Sequence, residues 1–266
     1  MRKERVFLTF FIILSIIAIL FILVPILKLF FSTSPDNLVK ILNDNDVWEA
    51  IFISVKGAFF ATIIGLIIGV PLGYFLSKSE FKGKRLIESI VNVPIVIPHI
   101  SVGILFLILL NEKTILGKIF GLINITFVDT IYGIIIVMLF VSISFIIVSA
   151  LNGFSSIDDS IEEAAMTLGA DRAYIFFHLQ LPLAAPAIIS GAVLAFARAV
   201  SEVGGLLIIA YYPKSAPILL YERFENYGLV NSKPIASLLV FISLVLFFVT
   251  FSISSIKLKR KANHGL

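Results

Sequence analysis

The 266-residue chain contains no cysteine. That absence excludes a disulfide framework, thiolate metal sites, iron–sulfur clusters and a thiol nucleophile. Histidine is almost as scarce: His99, His178 and His264 are too few and too scattered to suggest a metal centre. Charge is thin as well, at 14% of residues, where soluble domains carry about 25%. What fills the chain is apolar. Hydrophobic residues make up 59% and the mean hydropathy is +1.07, beyond what a soluble globular protein carries. At roughly 20 apolar residues per crossing, this surplus predicts an all-α polytopic membrane protein with lipid as its solvent. The formal charge of +4 does not point to nucleic acid, because the basic residues sit between apolar segments and form no basic face.

Six long apolar stretches are predicted to span: Val6–Leu27, a stretch within Trp48–Ser77, Ser89–Asn111, Thr130–Asn152, about Leu183–Tyr212, and Pro234–Ile256. The first is too long for a signal-peptide core and no small-residue cleavage site follows it, so it reads as a retained anchor. With the N-terminus inside, segments 1–5, 78–88, 152–182 and 257–266 carry twelve Lys and Arg, against six in segments 32–47, 112–129 and 213–233. Basic residues resist translocation, so the expectation is a multi-pass protein of the cell membrane with both termini cytoplasmic. The expected organisation is an N-terminal transmembrane helix (1–31), a five-helix transmembrane domain (47–256) and a basic cytoplasmic tail (257–266). Segment 152–182 then lies in the cytoplasm, and it is acidic, with Asp158, Asp159, Glu162, Glu163 and Asp171. Ser156, Asp158 and Asp159 offer helix-capping chemistry. The expected structure is a short helix, a break at Gly169, and a second piece in which Pro182 stops one helix and starts the next.

Within that segment stands Glu163-Ala164-Ala165, three residues, Gly169, nine residues, then Leu179-Gln180-Leu181-Pro182. The small alanines allow close approach to a partner surface, Gly169 allows a sharp turn, and the acidic N-terminal turn at Glu162 and Glu163 favours the helix and offers charge. This spacing resembles the cytoplasmic EAA signature of permease subunits in ATP-binding-cassette (ABC) importers, with Leu179 in place of Ile. The resemblance implies a type I ABC importer permease fold and a coupling role for Glu163, Ala164, Ala165, Gly169, Leu179, Leu181 and Pro182. It implies contact with a cytoplasmic ABC ATPase dimer that binds ATP and Mg. This chain carries no Gly-x4-Gly-Lys-Ser/Thr loop of its own and is expected to be neither an enzyme nor a cofactor holder. Six spans enclose too little for both halves of a pathway, so a homodimer is the simplest assembly.

A second resemblance concerns cargo. Phe196-Ala-Arg-Ala-Val-Ser-Glu-Val-Gly-Gly205, Ile209-Ala-Tyr-Tyr-Pro-Lys214, Tyr221-Glu-Arg-Phe-Glu-Asn-Tyr-Gly-Leu229 and Val93-Pro-Ile-Val-Ile-Pro-His99 look like the permease of archaeal tungstate/molybdate importers. That implies an oxyanion delivered by an extracytoplasmic binding protein; sulfate permeases, and at greater distance secondary transporters, are the alternatives. Arg198 and Glu202, four apart within a span, are either pathway or gate residues or a neutralised pair locking the bundle. Pro94 and Pro98 are expected to kink or delay the start of the third span. His99 beside them either lines the route or is a hydrogen-bonded interior histidine. Trp48, Glu49, Lys214, Glu222 and Arg223 are exposed candidates for receptor docking. Gly65, Gly69 and Gly73 read as a close helix crossing, and Lys56 as a packing or snorkelling residue.

Overall fold

A computed structural model describes residues 2–262; Met1 and residues 263–266, the end of the predicted basic tail, lie outside the described residues. Every regular element among the described residues is a helix. Five helices are long and apolar enough to cross a membrane: Phe7–Phe31, Asn45–Lys78, Ile131–Ser155, Arg172–Val200 and Ala216–Val245. A sixth crossing is available if α4 (Lys84–Val96) and α5 (His99–Leu110), bent by 109° at the short break between them, count as one span.

Two of the six expected spans take a different form. The third is broken in its middle rather than kinked at its start. Pro98 has no N–H for the carbonyl of Pro94, and it forces the preceding Ile97 into an extended conformation (φ −66°, ψ 132°). His99 therefore begins a new helix instead of sitting inside one. The fifth span starts earlier and ends earlier than Leu183–Tyr212. α9 (Arg172–Ile175) runs through a five-residue π turn (Phe176–Gln180) into α10 (Leu181–Val200). Pro182 thus does not separate two helices. Its ring crowds the carbonyl of His178 and removes one rung of the helical ladder, and the wider π turn just before it absorbs both defects without breaking the rod.

The contacts divide the chain into two compact units. One comprises residues 1–48 and 220–244. Its first helix, α1 (Arg2–Phe31), is apolar on all sides, and none of its most apolar 18-residue window is buried by protein. A helix of that kind needs lipid around it. α2 (Pro35–Leu42) follows, and then α3 (Asn45–Lys78) begins. Thr33 Oγ1 lies 2.8 Å from Ser237 Oγ in a buried hydroxyl pair, and Arg223 Nη2 reaches Asp44 Oδ2 at 3.2 Å and Asp46 Oδ2 at 3.6 Å. The long helix α12 (Ala216–Ala262) kinks at Gly228 (φ 69°, ψ −169°), a conformation open almost only to glycine.

The other unit comprises residues 49–219 and from 245 onward, and α7 (Ile131–Ser155) is its central post. Ile134, Met138, Ile146, Ala150 and Phe154 on α7 are fully buried. α7 packs on α10, α4, α5 and the short α11 (Gly204–Ile209). On α3, the glycine stripe is a packing device as expected. A Cβ at Gly73 would lie 2.7 Å from Ala150 Cβ and 2.9 Å from Ile147 O, and one at Gly65 2.8 Å from Ile146 Cδ1. At Gly73, where the neighbours include the α7 backbone, only hydrogen lets α3 lie this close to α7. At the far end of α3, Tyr74 meets Phe154 and Phe176 edge to face, with centroids 5.1 and 4.7 Å apart.

Candidate functional site

Two regions hold the residues singled out by the sequence. The first is the polar segment between α7 and α10. Asp158 accepts a hydrogen bond from the Ser160 amide at 2.9 Å and caps α8 (Asp159–Thr167). Those bonds from Ser160 hold the Asp158 carboxyl below the ordinary aspartate range. At the other end, the amide of Gly169 donates to Met166 O (2.9 Å) and that of Ala170 to Ala165 O (3.1 Å). This is a Schellman closure, and Gly169 takes the left-handed position it demands (φ 87°). Asp171 then caps the next helix by accepting from the Tyr174 amide at 2.7 Å. The break at Gly169 therefore follows from three local hydrogen-bonding devices, each visible in the sequence.

Glu163 and Ala164 are exposed on α8 and Ala165 is half-buried. Met166 is 44% and Leu168 89% exposed, leaving an apolar strip beside the acidic face. Leu179 and Leu181 are half-buried, with Leu181 packed on the cluster around Ile146 and Phe154. The motif is thus split: its glutamate and first alanine are exposed on α8, while Leu181 anchors the root of α10. One carboxylate that sequence reasoning treated only as added charge has the more constrained place. Glu162 Oε2 accepts from Lys78 Nζ (2.9 Å) and from Gln180 Nε2 (2.7 Å).

The second region gathers residues about a hundred positions apart. Arg198 Nη2 donates to Glu202 Oε2 at 2.8 Å, and His99 Nδ1 lies 2.9 Å from the same oxygen and 2.5 Å from Arg198 Nη2. Arg198 and Glu202 do pair, although Glu202 lies beyond the helix, which ends at Val200. Glu202 is 1% exposed, and its Oε1 accepts from the Gly205 amide at 2.8 Å, starting α11. A Cβ on Gly204 would stand 2.7 Å from His99 Cβ. The break before His99 and the break after Arg198 thus close on each other, pinned by one buried carboxylate. The Nδ1 of His99 accepts from Arg198 when unprotonated and donates to Glu202 when protonated, so the two bonds exclude each other. The side chain of His99 is 52% exposed and that of Arg198 22%, so the cationic side of the cluster reaches the surface. Pro98 caps the start of α5, while Pro94 is buried inside α4. The signal that could have joined His99 to Glu202 is the pairing of a Pro-broken span with a Gly-Gly restart at Gly204.

The docking candidates separate. Trp48 is 45% exposed, with its indole donating to Leu42 O at 2.8 Å. Glu49 is exposed, as is Lys56, the expected packing or snorkelling residue, and Lys214 Nζ stands 5.1 Å over the Tyr212 ring. Glu222 is half-buried. Arg223 is engaged with Asp44 and Asp46 and is not a free surface cation.

A family described as the binding-protein-dependent transport system inner membrane component matches residues 65–261, from the middle of α3 through both regions. The chain belongs to that family. This inner membrane component is 44% identical over 233 residues to a protein named molybdate/tungstate transport system permease protein WtpB from Pyrococcus abyssi, covering 87% of this chain and 89% of that one. With the protein of the same name from Methanocaldococcus jannaschii it shares 42% over 247 residues, 93% and 95% of the two chains. With a probable sulfate transport system permease protein from Chlorokybus atmophyticus the identity is 30% over 240 residues, 85% and 82%. A chain of a bacterial ABC transporter that imports the acidic polysaccharide alginate has the same fold, with a TM-score of 0.72 at 18% identity over 95% of this chain and 96% of that one. The inner membrane component is accordingly a membrane-embedded, all-helical permease with the fold of ABC importer permeases.

Proposed function

We propose that this inner membrane component is the translocation subunit of an ATP-driven importer of molybdate or tungstate. Both termini and α8 face the cytoplasm, a second copy completes the pathway, and an extracytoplasmic binding protein delivers the oxyanion. The observation that carries the coupling half of this reading is α8 itself. A capped, Schellman-closed helix leaves Glu163, Ala164, Met166 and Leu168 exposed, outside any span. Apolar side chains so exposed on an aqueous face call for a covering partner, and the EAA spacing supports an ABC ATPase holding ATP and Mg as that partner. The chain itself has no phosphate-cradling loop, so hydrolysis belongs to the partner. The cargo half rests on identity, which is 44% to the molybdate/tungstate permease and 30% to the sulfate one.

The cluster of His99, Arg198 and Glu202, held where Pro98 breaks the third span just after the Pro94 turn of α4, is the pathway candidate. Glu202 offsets much of the charge on Arg198, leaving a weak cationic contact rather than a trap. Conduction needs such contacts, because a doubly charged anion held by bare cations would not leave. Reconstituted with its ATPase and binding protein in proteoliposomes, the chain should take up tungstate and molybdate only when ATP and loaded binding protein are both present. Uptake by the chain alone would overturn this function.

A further inference from the structure

Lys78 closes α3, the second long span, with its ammonium between two carboxylates of α8: Asp159 Oδ1 at 2.7 Å and Glu162 Oε2 at 2.9 Å. The same Glu162 oxygen accepts from Gln180 Nε2 at 2.7 Å, and Gln180 is 1% exposed in the π turn at the root of α10. One carboxylate atom on α8 is therefore shared by the ends of two spans. Tyr74 and Phe176 pack edge to face between the end of α3 and the π turn, but α8 meets both across a cleft of about 740 Å³ bordered by Tyr74, Lys78, Glu162, Glu163, Met166 and Arg172. Polar pins across an open cleft hold direction and permit small displacements, whereas interdigitated side chains would fix α8 rigidly to its neighbours.

The π turn strengthens the case. Its widened ladder sits where the backbone is already relieved of one rung by Pro182, so the root of α10 has a place to yield. Gln180 is also half-satisfied: its Oε1 is buried with no hydrogen-bond partner. A buried amide in that condition gains when its surroundings shift to offer a donor. Such an atom favours a second arrangement of the same contacts.

We infer that Lys78, Glu162 and Gln180 form the internal linkage through which displacement of α8 moves the second and fifth spans together. This inference rests on the coupling role proposed above for α8, and it assigns Lys78 and Glu162 as positioning residues. The motif residue Glu163, exposed beside the same cleft, is the carboxylate offered to the ATPase, while its neighbour Glu162, paired with Lys78 and Gln180, passes the displacement on.

Lys78→Met, assembled with the ATPase and binding protein, tests this. Uptake per ATP hydrolysed should fall about fivefold to tenfold, at the lower end of the coupling found between linked sites, while the complex still assembles and hydrolyses ATP. The exchange Lys78→Glu with Glu162→Lys, made together with Asp159→Asn so that the new carboxylate does not face a second one, restores the pair with reversed polarity and brings an ammonium within reach of the Gln180 amide oxygen, so it should recover most of the lost ratio. Lys78→Arg should stay close to the unsubstituted complex. A merely structural pin would lower assembly and hydrolysis in step with uptake and leave their ratio unchanged; that outcome overturns the linkage, as does an unchanged ratio in Lys78→Met. Should Lys78→Met not assemble, the exchange variant decides alone, and an assembled but uncoupled exchange variant counts against the linkage. Uptake without ATP by the unsubstituted complex would overturn the underlying coupling reading instead.

Discussion

The polar segment from Asp158 to Pro182 and the charged cluster at His99, Arg198 and Glu202 are built in opposite ways. The first is assembled from neighbours in sequence. Asp158 caps Ser160, Gly169 closes onto Met166, and Asp171 caps Tyr174, each across no more than three positions. The second joins residues 99 and 103 positions apart through a carboxylate that is 1% exposed. Local hydrogen bonds make a surface that can be presented to a partner and displaced as a unit. A buried carboxylate shared by two broken spans fixes the geometry of the membrane region and tolerates little change. The proposed coupling and pathway roles would thus rest on structures of different stiffness within one chain.

Disabling each side in turn should separate them. The largest effect is expected at α8. Gly169→Asp puts a Cβ where φ is 87° and opens the Schellman closure, and Glu163→Lys reverses the exposed charge. Each should lower ATP-dependent uptake by roughly the 5- to 150-fold typical of lost coupling between sites, with the chain still in the membrane at normal levels. Normal uptake in both variants would remove the coupling role of this segment.

At the charged cluster, removal of one partner should act on stability. Glu202→Leu leaves Arg198 without its buried counter-charge, and a loss of about 3 kcal/mol is expected in thermal unfolding of the detergent-solubilised protein. Arg198→Met combined with Glu202→Leu should recover most of that loss. Its uptake then decides the role: wild-type uptake in the double variant would reduce the cluster to a lock, and lost uptake in a stable protein assigns it to the pathway.

Packing effects should be smaller. Gly73→Leu forces a side chain against Ala150 and the α7 backbone and should cost about 1–3 kcal/mol, read from the same unfolding transition. An unchanged midpoint would mean that α3 and α7 do not depend on this close approach. The smallest effect is at the α8 cap. The Asp158 carboxyl is held below its ordinary range, so its contribution is present above the unfolded pKa and fades as pH falls through the folded value. Hydrogen exchange at the Ser160 amide, corrected for intrinsic rate, should quicken on acidification below the usual carboxylate range and be insensitive to pH in Asp158→Ala. The same pH response in both proteins would refute the cap.

How much of this was legible follows the same division. The short helix at 159–167, its cap and its glycine break are spelled out by nearby residue types, so the polar segment reads correctly from the sequence. The glycine stripe on α3 also reads correctly, because its spacing is local even though its partner is not. Pro182 misleads, since a proline next to a five-residue π turn can stay within a continuous helix, and no residue pattern marked that turn. The fifth span misleads for a similar reason: its apolar run continues to Tyr212, but Glu202 turns back to cap Gly205 and ends the helix at Val200. The meeting of His99 with Glu202 depends on two breaks packing together; the proline break and the Gly-Gly restart are both written in the sequence, but the spacing between them does not say that they meet. Glu162 and Glu163 are adjacent and alike in sequence; only the helix register pairs one with Lys78 and leaves the other exposed.

Because the chain has no cysteine, a single introduced thiol reports one position without background. Met166→Cys on the exposed strip of α8 should cross-link to a thiol in the ATPase surface groove within the assembled importer, and the cross-link should arrest ATP-driven tungstate uptake until it is reduced. Quantitative cross-linking that leaves uptake intact, or no cross-link to the ATPase when Trp48→Cys gives one, would contradict the placement of α8 between the energy source and the membrane helices.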